Sequence, residues 1–306
     1  MVIAISGSSG LIGSALTGAL ETRGHTIKRL VRRSARGADE ISWDPARGQL
    51  DSRGLAGVDA IVNLAGENLA QRWSASARAR IRSSRVNGTT LLAQAVAAMQ
   101  TKPRVLLSGS AVGIYGNRGD EILDESSDLG NDFLASVCKD WESATAPAAE
   151  AGVRVVHLRT GIVLSRAGGA LSKMLLPFRL GVGGRLGDGR QWMSWIALPD
   201  AIAALAFLIR AESVSGPVNL VAPNPVLNAE FARALAHVLG RPAVFPVPKF
   251  ALTLLLGQMG EDTVLASQRV RARRLLENGF KFKLPTLEDA LYDAGVGHAA
   301  AVPHPR

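Results

Sequence analysis

Val2-Ile3-Ala4-Ile5 runs through Ser6 into Gly7-Ser8-Ser9-Gly10-Leu11-Ile12-Gly13, a glycine trio at spacing three and three. The apolar run reads as a short buried strand of a parallel sheet. Beyond the trio Ile12, Ala15, Leu16, Ala19 and Leu20 recur at helical spacing, and Gly24 reads as the helix stop. A glycine turn between such a strand and such a helix suits one ligand well. Gly7 permits the sharp turn, Gly10 lets the backbone approach a pyrophosphate, and Gly13 lets helix and strand pack closely. The N–H groups of the helix start, with Ser9, Leu11 and Ile12 around them, then face the anion.

Working outward, residues 26–31 read as a second strand, and further strands are expected over 60–64, 104–107, 153–158 and 218–221. Helical patterns cover 76–99 and 132–151. This repetition predicts an α/β fold, a doubly wound parallel sheet with helices on both faces. The end of the second strand normally separates the two nicotinamide dinucleotides, because an acid there accepts the ribose hydroxyls and repels an extra phosphate. This chain has Val31-Arg32-Arg33-Ser34 instead. Guanidinium pairs with phosphate, and the Ser34 hydroxyl can add a hydrogen bond. NADP(H) is therefore expected over NAD(H), held at Arg32 and Arg33.

The 306 residues are 47% hydrophobic and 20% charged, enough apolar content for a large core and too much for a disordered chain. The net charge of +9 comes from scattered basic residues, clustered only at Arg32-Arg33 and over 269–274. Without a nucleic-acid motif this reads as a solvated basic surface, so no nucleic-acid partner is expected. Cys138 is the single cysteine, which excludes an internal disulfide and a cysteine-based zinc site, and the five histidines show no ligand spacing. No metal is expected. The greasiest run, 196–209, is short and broken by Pro199 and Asp200, and no signal peptide is read at the start. The expectation is a cytoplasmic protein with no membrane contact.

Past residue 160 the texture changes. Glycines crowd 161–189, which predicts loops around a site rather than another regular βα unit. Helical patterns return over 201–210, 228–239, 250–256 and 262–278, with a proline-rich connector at 242–248. Pro248 thus separates a large domain, 1–221 with substrate-side loops from about 160, from a small helical module, 248–294. The apolar residues of that module are too few for a core of their own and should dock on the large domain or a partner subunit. The tail beyond Gly295 reads as disordered. A homodimer is compatible with this reading, and the oligomeric state stays open.

Asn63-Leu64-Ala65-Gly66 and Val105-Leu106-Leu107-Ser108-Gly109-Ser110 give the chain its resemblance to the extended short-chain dehydrogenase/reductases, the NAD-dependent epimerase/dehydratase superfamily. Asp132-Phe133-Leu134, Lys139-Asp140-Trp141-Glu142, Gly189-Arg190-Gln191-Trp192 and Val218 through Pro225 are similar to an atypical subgroup of it. Its members are labelled epimerase family proteins and end in a small domain of unknown function, which 248–291 resembles. The resemblance implies a Rossmann-type fold and an oxidoreductase or epimerase-like activity. It implies cofactor contacts at Asn63, Leu64, Ala65, Gly66, Ser108, Lys139, Thr160, Gly161 and Ile162, and a catalytic hydroxyl at Ser110.

The superfamily's working pair is a tyrosine four residues before a lysine, the lysine lowering the phenol's pKa so that it can exchange a proton with substrate. Lys139 is read as that lysine, and Ala135 then stands where the tyrosine belongs. Tyr115 is a candidate replacement, and Glu67, Arg190 and Trp192 are candidate contacts for a small, anionic or sugar-like substrate. The alternative is a dinucleotide-binding sensor or interaction protein without catalysis.

Overall fold

The computed structural model describes residues 1–243 and 245–297, apart from the Leu256 side chain. Its strands are β1 (Val2–Ser6), β2 (Thr26–Val31), β3 (Glu40–Asp44), β4 (Gln49–Leu50), β5 (Ala60–Asn63), β6 (Val105–Ala111), β7 (Ile122–Leu123), β8 (Arg154–Thr160), β9 (Ile162–Leu164), β10 (Trp192–Met193), β11 (Trp195–Ala197), β12 (Gly216–Leu220), β13 (Val226–Leu227) and β14 (Arg269–Val270). The helices are α1 (Leu11–Glu21), α2 (Ala75–Ala98), α3 (Phe133–Ser143), α4 (Ala146–Glu150), α5 (Gly169–Arg179), α6 (Leu198–Arg210), α7 (Asn228–Leu239), α8 (Lys249–Leu256), α9 (Arg273–Glu277) and α10 (Leu287–Asp293).

One eight-stranded sheet runs in the order β12-β8-β6-β5-β1-β2-β3-β4. Its pairings are parallel except for the antiparallel β3–β4 edge. From β1 the chain builds outward to β2 and β3, then returns to β5 on the other flank and builds outward again. The strand order reverses between β1 and β5, and the carboxyl ends diverge there into a crevice. Side-chain alternation buries each strand on both faces. Ile3 and Ile5 join Leu16, Leu20 and Leu205 under α1 and α6, whereas Ala4 joins Leu92, Val96 and Ala148 under α2 and α4.

Three expectations about elements are corrected. The single helix over 132–151 is two, α3 and α4, because Pro147 has no N–H and is accommodated only in the first turn of a helix. The glycine-dense stretch contains β9, parallel to β11, and α5, so it is partly regular. The helix over 262–278 is a π-turn, the strand β14 and the short α9. Tertiary partners win there: Val270 N–H donates to Ser194 Oγ at 2.9 Å, and β14 pairs with β7.

The C-terminal segment is sewn into the rest. Val270, Ala272, Leu275 and Phe280 complete the core on the α6 face, and Leu287, Ala290 and Leu291 pack with α7 and Trp195. Asp200, fully buried, accepts the backbone N–H groups of Lys283 and Leu284 at 2.9 and 3.0 Å. Leu252 of the module is buried, whereas Leu255, one of the apolar residues of the module, is exposed and does not dock. No helix among the described residues is long and apolar enough to cross a membrane. Of the tail beyond Gly295, expected to be disordered, Val296 is instead buried in the core beside α7, and the residues from 298 on lie outside the described residues.

Candidate functional site

At the switch point the glycine turn is held by backbone contacts. Gly7 has φ +69°, and a Cβ there would stand 2.9 Å from the carbonyl of Leu64. A Cβ on Gly13 would stand 2.2 Å from the Gly7 oxygen. Gly10 is different: it is the N-cap of α1, extended, and supplies no side-chain cap. The first N–H groups of α1 are therefore free of intrahelical and side-chain partners. They open on a cleft of about 470 Å³ lined by Gly7, Gly10, Leu11, Ile12, Gly13 and Leu64 on this side. A dinucleotide's pyrophosphate fits such a cradle, which any larger side chain at Gly10 would crowd.

The opposite wall carries Ser110 and, at its rim, Thr160, Gly161 and Ile162. Ser110 Oγ donates to Glu142 Oε1 at 2.7 Å. Glu142 is clamped by Arg159, whose Nε and Nη2 donate to its two oxygens at 2.9 and 3.0 Å. Arg159 Nη1 donates to Tyr115 Oη at 3.0 Å, and Tyr115 donates to Asn219 Oδ1 at 2.7 Å. Burial works against the Arg159 charge, but its bonds to Glu142 outweigh burial and raise its pKa. Burial raises the Tyr115 phenol against the pull of Arg159, and lowers His157 despite the nearby Glu142. This is a closed, preorganised network with one member, Ser110, at the cleft surface.

Several residues read from the sequence as site residues stand elsewhere. Tyr115 is fully buried with its hydroxyl engaged, so it reaches the cleft only through Arg159 and Glu142. Lys139 and Ala135 are not on the cleft wall, because the face of α3 that meets the cleft is Leu134, Val137, Cys138 and Trp141. Residues four apart on that face are Leu134 and Cys138, one position earlier than the reading that placed Ala135 and Lys139 there. Burial, then the charge of Glu142, pushes the Cys138 thiol up to about 12 against the pull of Arg85. Ser108 is buried in the sheet, its hydroxyl without a partner among the described residues.

Asn63 is buried and committed, accepting from Ser6 Oγ at 2.6 Å and donating to Thr89 Oγ1 at 2.8 Å. Ser9, Ala65 and Gly66 border the turn without lining the cleft. Glu67 sits outside it, taking a bond from Gln71 at 3.3 Å. Arg190 is exposed, and Trp192 donates to Asp120 at 2.9 Å under the Arg269 guanidinium, away from the cleft. Arg33 is bound to Glu40 through two contacts of 2.6 and 2.5 Å, and these bonds hold the Glu40 carboxyl down at about 2. Arg32, at the end of β2, is exposed and has no ion pair among the described residues.

The wall also includes residues to which the sequence reading assigned no site role: Arg85, Leu69, Trp141, and from the C-terminal segment Asp262, Thr263 and Gln268. Burial raises the Asp262 carboxyl despite its bond from Gln258. One signal was available: Trp141 and Glu142 lie in Lys139-Asp140-Trp141-Glu142, one of the stretches similar to the subgroup.

A doubly wound sheet with a glycine cradle at its switch point defines a Rossmann-type nucleotide-binding protein. Residues 3–221 match the NAD dependent epimerase/dehydratase family, and 247–294 match a domain of unknown function (DUF1731). The chain belongs to the NAD-dependent epimerase/dehydratase family. It is 46% identical to an epimerase family protein of Mycobacterium bovis over 95% of this chain and 96% of the other. The crystal structure of human epimerase family protein SDR39U1 with NADPH superposes with a TM-score of 0.88 at 35% identity, covering 96% of this chain and 99% of that one. A nucleoside-diphosphate sugar epimerase from Corynebacterium glutamicum gives 0.81 at 40%, covering 98% of this chain and 59% of that one.

Proposed function

We propose that this protein is an NADP(H)-dependent oxidoreductase or epimerase-like enzyme acting on a small molecule. The observation that carries the reading is that one cleft joins the uncapped start of α1 to Ser110. When bound, the dinucleotide supplies hydride exchange at its nicotinamide carbon. The Gly10–Ile12 backbone holds the pyrophosphate, and Thr160, Gly161 and Ile162 border the nicotinamide end. Arg32 takes the additional phosphate of NADP(H), because Arg33 is committed to Glu40. The NADPH bound by the human relative supports this choice.

Ser110 positions a substrate oxygen, its own proton directed at Glu142. With Leu134 and Cys138 on the cleft face of α3, no phenol serves as proton donor. Among the described residues the carboxyl of the wall is Asp262, whose pKa burial raises, and it is the side chain placed to exchange a proton. Residues 248–294 act as a substrate-side module, contributing that carboxyl with Thr263 and Gln268. General acid–base help is worth about 10²–10⁴-fold, so its weakening leaves a slow enzyme rather than none.

The test has two parts. Fluorescence titration should show NADPH binding tighter than NADH, and NADPH oxidation should be slow with generic ketones and fall further in Ser110→Ala. Equal affinities overturn the cofactor choice. Tight NADPH binding with no turnover on any carbonyl compound would favour the dinucleotide-sensor reading, which the loss of the tyrosine also supports.

A further inference from the structure

We infer that Arg85 is the receptor for a carboxylate carried by the substrate, held in the cleft against the face of Trp141. Arg85 is 9% exposed, lines the cleft, and has no ion pair among the described residues. Its Nη1 donates to the Ile81 carbonyl at 3.1 Å, and no other hydrogen bond engages the guanidinium among the described residues. Guanidinium does not give up its proton in proteins, so this is a buried cation with no ion-pair partner among the described residues, favoured by the charge of Glu67 outside the cleft. Apart from the Cys138 thiol, Asp262 is the other ionisable side chain on the cleft wall among the described residues.

The seat of Arg85 is built rather than incidental. The guanidinium stands 5.0 Å over the Trp141 ring. Trp141 Nε1 donates to Thr89 Oγ1 at 2.9 Å, and the same oxygen takes the Asn63 amide at 2.8 Å, so the indole is tied through α2 to β5. Two glycines keep the space clear. A Cβ on Gly109 would stand 2.6 Å from Trp141 Cζ2, and one on Gly66 would stand 3.0 Å from Arg85 Cζ. Arginine stacked on an indole presents its N–H edge in the plane that carboxylate oxygens need.

Position decides which anion this is. The dinucleotide's own anions are met at the α1 N-terminus and at Arg32, beside β1 and β2. Arg85 and Trp141 stand beside the ends of β5 and β6, past the crevice. The surroundings are apolar, with Leu69, Leu134 and Val137 on the same wall. The ligand class is a small carbonyl compound with one carboxylate and an apolar body. The inference rests on the cofactor placement proposed above.

Phenylpyruvate and its methyl ester serve as the probe pair, titrated into the full chain with and without saturating NADPH and followed by tryptophan fluorescence. The acid should bind at least about tenfold tighter than the ester, the effect of one charge-assisted pair. Arg85→Gln should abolish that preference and leave NADPH affinity within about twofold, while Arg85→Lys retains part of it. Equal binding of acid and ester by the unmutated protein, or no acid binding up to its solubility, overturns the inference without needing a variant. Loss of NADPH affinity in Arg85→Gln with the acid preference intact also overturns it, reassigning the arginine to the dinucleotide phosphates. Failure of the unmutated protein to bind NADPH breaks the cofactor reading instead, and the titration without NADPH still reads the acid preference.

Discussion

On the β1–β2 side of the cleft the surface is backbone: Gly7, Gly10 and Gly13 clear the way to the uncapped N–H groups of α1. On the other side it is side chains, with Ser110 held by Glu142, Trp141 by Thr89 and Arg85 stacked on Trp141. A backbone site needs only a short run of correctly spaced small residues. A side-chain wall needs every supporting contact behind it, so it is not legible from a short run of sequence.

The largest effect should come from the side-chain wall. Glu142→Gln leaves the Arg159 guanidinium, whose side chain is 5% exposed, without its counter-charge. Breaking a buried pair from one side costs about 3–5 kcal/mol, so the melting temperature should fall markedly. A variant that melts like the parent would show that the Glu142–Arg159 clamp is not a supporting element. On the backbone side, Gly13→Ala sets a methyl 2.2 Å from the Gly7 oxygen, where backbone must shift. We expect a loss of about 1–3 kcal/mol together with the dinucleotide affinity. Gly18→Ala, exposed on the same helix with nothing within 4 Å, should instead gain up to about 1 kcal/mol. If both glycines respond alike, close packing at the turn is not what Gly13 provides.

Arg32→Ala should erase most of the preference for NADPH over NADH, roughly ten- to a hundred-fold, as judged by competitive titration. Arg33→Ala should act less on that ratio, because its guanidinium is bound to Glu40. The reverse ranking would exchange their roles. The smallest effect concerns Cys138, whose thiol is raised from 9.0 to about 12 by burial. A pKa raised by folding contributes stability that is complete below the unfolded value and disappears as pH climbs towards the folded one. The parent should therefore lose stability between about pH 9 and 12 more steeply than Cys138→Ala in parallel melts. Parallel slopes would mean that the thiol is not isolated from solvent. Its reaction with iodoacetamide should likewise be slow at pH 8.

Much of the wall escaped sequence reading for a definite reason. Spacing on α3 can be counted, but its phase relative to the cleft cannot. A shift of one residue turns a helix by about 100°, which separates Lys139 from Cys138. For the same reason a phenol and amine are restored on the cleft face by Leu134→Tyr with Cys138→Lys, and Ala135→Tyr would overfill a fully buried position. Trp192 and Arg190 looked like a ligand pair by proximity in sequence. The arginine–tryptophan pair in the cleft is Arg85 with Trp141, joined across the α2–α3 contact. Asp262, Thr263 and Gln268 were read as part of a helix, and their approach depends on β14 pairing with β7.

The sequence by itself determined the strands β1, β2, β5, β6, β8 and β12 and the cradle, whereas β3, β4 and the strand order came from the structure. Those six strands and the cradle follow from local signals: apolar runs of strand length, helical periodicity, and glycines where a Cβ would strike backbone. Arg32 was legible too, since the end of β2 is located by counting from the same turn. Only the tertiary structure decided which of two arginines is uncommitted, which face of α3 meets the cleft, and which cation is left buried without a partner. Those depend on contacts between residues tens to hundreds of positions apart, such as Tyr115 with Asn219 and Asn63 with Thr89. Such pairings have no period and leave no local pattern; they exist only once the sheet has brought the strand ends together.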